Sequence, residues 1–150
     1  MAIKICHDAI NPWQELQDYQ NHALNPDVQF GATGIFIGTM RDMNDNAAVQ
    51  RMTLEHYPGM TENQLAKIIN DARERWAFLD ALIVHRVGDV IPNDTIVLVA
   101  VWATHRGDAC DACRFIVEAL KSTAPFWKKE VLSTGQTRWV ERNTDGYRKS

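Results

Sequence analysis

Arg41, His105, Arg106, Lys121 and Lys128 are the side chains of this 150-residue chain whose types and contexts can do chemistry together. Four fixed cations, Arg41, Arg106, Lys121 and Lys128, suit an anion such as a phosphate ester, which a planar guanidinium grips with paired hydrogen bonds. A lysine that borders a core and is crowded by a second lysine has its pKa pressed down, and can then act as acid, base or nucleophile near neutral pH. Lys121 beside Lys128 fits that description. His105 is the other proton-transfer candidate. Phe126 and Trp127 offer faces for a flat heterocycle, and Glu130 is placed to counter or orient a lysine. Each also has a plain structural reading: a satisfied strand-end histidine, solvated lysines at a helix C-terminus, and core aromatics.

The elements that must position these residues follow from spacing. Ala109, Ala112, Cys113, Ile116, Val117 and Leu120 recur at helical intervals after Asp108, a candidate N-cap, and Lys121 falls at the edge of that stripe. Pro125 stops this helix, leaving Phe126, Trp127 and Lys128 free to turn back toward its end. Ala2 to Cys6 reads as a strand. Asn11-Pro12 starts a helix that turns Trp13, Leu16 and Tyr19 or Gln20 inward. Gly31 to Gly38 is a glycine-punctuated strand presenting Thr39, Met40 and Arg41 before the polar run Asp42 to Ala47. No helix pattern follows those glycines, so they are not a dinucleotide fingerprint. Val49 to His56 is a strand. Thr61 and Gln64 form a capping box for a helix carrying Leu65, Ile68, Ile69, Ala72 and Trp76. Leu79 to Val87 and Thr95 to Thr104 are strands around a turn, with His105 and Arg106 at the end of the second. Gln136 to Arg142 is a last short strand before a polar, frayed tail. The order β-α-β-β-α-β-β-α-β predicts a single α+β domain over residues 1–150, with three main helices on a mixed or antiparallel sheet.

Composition narrows the function. A net charge of −3 disfavours a nucleic-acid-binding protein, whose affinity comes from many clustered cations. No apolar run suits a membrane span, and the N-terminus lacks a signal-peptide core, so a cytoplasmic protein is expected. The three cysteines, Cys6, Cys110 and Cys113, are expected as free thiols. Cys110 and Cys113 form a CxxC near a helix start, a minor redox possibility, but no second pair exists for zinc, and the histidines lack ligand spacing. No metal and no cofactor are expected.

The segments GIFIGTMRD, LEHYPGM, HRVGDVIPND, THRGDA and LKSTAPFWKKE, in this order and spacing, resemble the MoaE family, the large catalytic subunit of molybdopterin synthase, from about Phe30 to Arg142. The resemblance implies an α/β hammerhead-type subunit that forms a homodimer within a heterotetramer, with a small ubiquitin-like sulfur-carrier subunit (MoaD-like) at each end. The carrier's C-terminal Gly-Gly tail, as a thiocarboxylate, would deliver two sulfurs to cyclic pyranopterin monophosphate, giving molybdopterin. The family's substrate-binding positions fall on Thr39, Met40, Arg41, His105, Arg106, Lys121, Lys128, Lys129 and Glu130, with Lys121 and Lys128 implied as catalytic proton donors. A C-terminal arginine, Arg138 or Arg142, is implied to complete the neighbouring subunit's pocket. Gly107-Asp108 and the cysteines at 110 and 113 depart from the family pattern. The competing expectation is a non-catalytic module holding a nucleotide or an acidic peptide tail in a basic pocket.

Overall fold

The computed structural model describes residues 1–44, 47–123 and 126–140. Among them the elements run β1 (Ala2–Cys6), α1 (Pro12–Asp18) with a π-helical turn (Tyr19–Ala23), β2 (Ala32–Thr39), β3 (Met43–Asn44), β4 (Ala47–His56) and α2 (Met60–Arg73). They continue with β5 (Phe78–Arg86), β6 (Gly88–Val90), β7 (Thr95–Ala103), α3 (Arg106–Thr123), β8 (Phe126–Leu132) and β9 (Thr137–Val140). One sheet has the order β1-β5-β7-β2, with β1 parallel to β5 and the other pairs antiparallel. The second, antiparallel throughout, has the order β3-β4-β8-β9, with β6 also paired to β4.

Strand alternation divides the first sheet between two cores. Ala81, Ile83, Val97, Val99 and Val101 face the buried stripes of α2 and α3. Leu82, Val84, Leu98, Ala100 and Trp102 face the other way, onto Leu16 and Tyr19 of the first helical segment. Coverage on both faces is why β7 reads as an unbroken apolar run. Its Trp102 is fully buried, and the indole N–H donates to Gln20 Oε1 at 3.2 Å.

Gly34 lets α3 lie close on β2, since a Cβ there would come 2.5 Å from the Ala109 carbonyl oxygen. Gly34→Ala is therefore expected to lower stability by about 1–3 kcal/mol, because helix backbone must move to admit one methyl group. Thermal unfolding checks this; a midpoint equal to that of the unmodified chain would show that the helix seat has slack.

The structure corrects several expectations. Trp13 is 67% exposed rather than inward, because the short helix and its π turn orient Leu16 and Tyr19 to the sheet instead. Gly59, at φ +85°, is the cap of α2: the Glu62 carboxylate accepts from its N–H, while Thr61 Oγ1 accepts from the Tyr57 N–H at 3.2 Å. That helix ends at Arg73, and Trp76 packs on Phe115 from beyond it. α3 starts at Arg106, with the His105 carbonyl accepting from the Ala109 N–H at 3.2 Å; Asp108 sits in the first turn, where its charge still complements the helix dipole. Phe126 to Leu132 is a strand between β4 and β9, not a loose return, because its backbone groups pair with both neighbouring strands. The proposed helix stop at Pro125, part of the polar run before Ala47, the end of the last strand and the frayed tail lie outside the described residues.

Candidate active site

Alternation along β8 decides which of its residues can meet α3. Phe126, Lys128 and Glu130 pair with His56, Leu54 and Met52, and the inner face of β4 carries the buried Leu54 and Met52. Lys128 and Glu130 therefore point inward. Trp127 and Lys129 point to the opposite face, where Lys129 lies over the Trp139 ring at 5.7 Å and Trp127 meets Tyr57 edge-on at 4.9 Å.

Between the inner face of the second sheet, β2 and α3 lies a cavity of about 740 Å³. Thr39, Met40 and Arg41 line it from the end of β2, Lys121 from α3, and Lys128 and Glu130 from β8. Cys110, Arg114, Val117 and Lys121 form one helical line along its wall, at the i, i+4, i+7, i+11 spacing. The Met40 backbone is fixed at both ends, its N–H donating to the Asp94 carbonyl and its carbonyl accepting from Asn93, each at 2.9 Å. This places Arg41 at the mouth.

The electrostatics of the cavity are those of a crowded, half-desolvated cationic cluster. Burial pushes the Lys128 pKa down to about 8, the Lys121 charge adds to the effect, and Glu130 opposes it. Lys121 is also lowered, first by burial and then by Arg41, with Glu118 opposing. Glu130 is 4% exposed. Its carboxylate accepts from Asn44 Nδ2 at 3.0 Å and Arg138 Nε at 2.9 Å, while Arg138 Nη2 donates to the Asn44 carbonyl at 2.8 Å. The acid thus orients the β3 end of the wall as well as facing Lys128. Glu130→Ala is expected to destabilise the fold by about 3 kcal/mol, since it strips a partly buried guanidinium of its partner; denaturant unfolding checks this, and an unchanged midpoint would contradict it.

Several predicted site residues are not brought together in this subunit. His105 and Arg106 are exposed at the N-terminal end of α3. They lie about 22 Å along the helix from Lys121, at 1.5 Å per residue. Lys129 is on the outer face. Phe126 stacks on His85 rather than offering a free face, with centroids 3.8 Å apart. Arg142 lies outside the described residues. Cys113 is buried with its thiol pushed up to about 12 by desolvation, which removes the thiolate that redox chemistry needs, while Cys110 is exposed on the cavity wall. Among the described residues no cluster of three or more His, Cys, Asp or Glu could hold a metal ion, and no helix is long and apolar enough to cross a membrane.

Sequence reasoning missed Asn44 and His85. Nothing local marks Asn44, which sits in a polar run. The signal for His85 was present: it continues the inward parity of Ala81 and Ile83 directly after the apolar run Ala81 to Val84.

The family described as MoaE protein matches residues 5–123. The molybdopterin synthase catalytic subunit of Ralstonia nicotianae is 58% identical over 118 residues, covering 78% of this chain and 66% of that protein. The subunit of the same name from Pseudomonas aeruginosa is 48% identical over 141 residues, 94% of this chain and 91% of that one. Among solved structures, the molybdopterin biosynthesis MoaE protein from Burkholderia ambifaria superposes with a TM-score of 0.78 at 47% identity, covering 97% of this chain and 94% of the other.

Proposed function

Because this chain belongs to the MoaE family, whose members are catalytic subunits of molybdopterin synthase, we propose that its basic cavity is where cyclic pyranopterin monophosphate receives sulfur. The function is that of the family: transfer of two sulfurs from a thiocarboxylated carrier protein to the pyranopterin, forming the dithiolene of molybdopterin. The observation that carries the site is the convergence of Arg41, Lys121 and Lys128, from three distant parts of the chain, on one cavity of about 740 Å³. Pockets of roughly 300–1,000 Å³ are the size that encloses small ligands.

Arg41 at the mouth binds the cyclic phosphate, and Thr39 and Met40 fix the approach of the ring system. The carrier is a small ubiquitin-like subunit whose slender Gly-Gly tail enters the open side with its thiocarboxylate leading. As sulfur attacks carbon and the carbon–oxygen bond breaks, the departing oxygen needs a proton. Lys121 supplies it, with Lys128 near enough to share the charge. Glu130 holds the wall to which Lys128 belongs. His105 and Arg106, which do not line this cavity within one subunit, serve that of the second subunit of a homodimer, two carriers completing the heterotetramer. Arg138 is engaged with Glu130 in its own chain and so helps to hold that wall. Lys129, on the outer face, binds substrate only if the sheet edge rearranges. The setting is cytoplasmic, where the carrier's thiocarboxylate stays reduced.

Arg41→Ala is expected to weaken pyranopterin binding about tenfold or more, the worth of charge-assisted bonds to a phosphate. Titration calorimetry on the carrier-bound complex tests it, and an unchanged affinity would place the phosphate elsewhere.

A further inference from the structure

His85 is none of the groups sulfur transfer needs, yet it lies directly under the two lysines. On β5 it pairs with Val97 across the ladder and is 7% exposed. Its ring stacks on Phe126 with planes 9° from parallel, so the imidazole is locked in orientation. Nδ1 is 2.7 Å from the Arg86 carbonyl oxygen. A carbonyl can only accept, so Nδ1 carries the hydrogen. Burial presses the imidazole pKa down to about 3, against the hydrogen bond to the Arg86 carbonyl and with help from the neighbouring Lys121, Lys128 and His56 charges, leaving the ring neutral and Nε2 a bare acceptor.

An acceptor that faces a cavity takes up whichever N–H reaches it. His85 lines a small cavity of about 30 Å³ next to the main one, and among the described residues its only other polar side chains are Lys121 and Lys128. Both lysines also line the main cavity, so they form the wall between the two. The other charged groups around this wall are Arg41 and Glu118 near Lys121, and Glu130 near Lys128.

We infer that His85 is a positioning residue for sulfur transfer: its Nε2 lone pair accepts an N–H of the Lys121–Lys128 pair and turns the rest of that amine toward the substrate. The assignment rests on the reading that these lysines act on the pyranopterin. A neutral imidazole fixed in this tautomer can accept from an ammonium but cannot donate to an amine. It therefore favours the protonated lysine and offsets part of the burial that depresses it. The reaction gains an acid that is both desolvated and aimed.

Asparagine and glutamine separate the two ring nitrogens. His85→Asn keeps a donor where Nδ1 bonds the Arg86 carbonyl but has no acceptor at the Nε2 position; His85→Gln reaches that position with an amide oxygen. In the complex with thiocarboxylated carrier, His85→Asn is expected to lower kcat about 30-fold with KM within about threefold, and His85→Gln to recover to within about fivefold of the unmodified enzyme. NMR titration of chains carrying ε-13C lysine should show one lysine titrating lower by about half a unit or more in the Asn variant and restored in the Gln variant. Identical titrations and kcat in all three proteins would overturn the inference, as would equal losses in both variants, which would mean only packing had been disturbed. In the unmodified protein, 15N spectra of the imidazole read the same assignment without a variant: an unprotonated, hydrogen-bonded Nε2 supports it, and a protonated Nε2 overturns it. If the unmodified complex makes no dithiolene, the functional reading fails, while the lysine titrations still decide the role of His85.

Discussion

Lys121→Ala is expected to cost about a thousandfold in turnover while leaving the chain folded, a loss in the range that general acid catalysis supplies. The side chain sits at the edge of the buried stripe of α3, half in the core and half in the cavity. That position lowers its pKa by burial first and by Arg41 second, so its proton is easier to give up than that of a surface lysine. Alanine keeps the helix, since no residue suits a helix interior better. Single-turnover measurement of dithiolene formation, with circular dichroism as the control for folding, checks both halves. Turnover within about threefold of the unmodified chain would remove Lys121 from the proton path.

Lys128→Met is expected to impair turnover about a hundredfold and, in the same protein, to raise stability. The folded chain holds Lys128 at a pKa of about 8, against an ordinary lysine value of 10.5. Between those values the unfolded chain binds more protons than the folded one, so stability rises as pH rises through that window. Below pH 8 the lysine is charged in both states, and the full cost of burying the ammonium is present. A thioether of similar length removes that cost, which at pH 7 is up to about 3 kcal/mol on the scale of 1.36 kcal/mol per unit. The unmodified enzyme should lose activity above pH 8 as Lys128 gives up its charge, and Lys128→Arg should move that limb upward. Chemical denaturation at pH 7 and pH 10 checks the stability half: the gain from methionine should shrink at the higher pH, and a constant gain would contradict the assignment.

Much of this was legible in the residues, and the limits of that legibility are physical. The stripe from Ala109 to Leu120 faces the core as its spacing requires, and the cationic trio Arg41, Lys121 and Lys128 does share a cavity. Helix caps were less legible, because a glycine at positive φ or a backbone carbonyl can cap as well as an Asp or Thr side chain, as at Gly59 and His105. The strand from Phe126 to Leu132 was hidden because its stability comes from pairing with β4, over seventy residues earlier, not from local propensity. Once it is a strand, the pleat alone sends Lys129 away from Lys128, although both belong to one basic motif. His105 and Arg106 lie at the strand end where spacing put them, but no periodicity reports that this end is far from Lys121 along the helix between them.

The most direct test of the whole account is reconstitution: purified chain, thiocarboxylated carrier and cyclic pyranopterin monophosphate, with the pterin product weighed by mass spectrometry. The account predicts a product carrying two sulfurs, formed only when both proteins are present and suppressed by Lys121→Ala. A chain that binds the pyranopterin in its basic cavity but leaves it without sulfur, while the carrier keeps its thiocarboxylate, would contradict it and mark the cavity as a binding module.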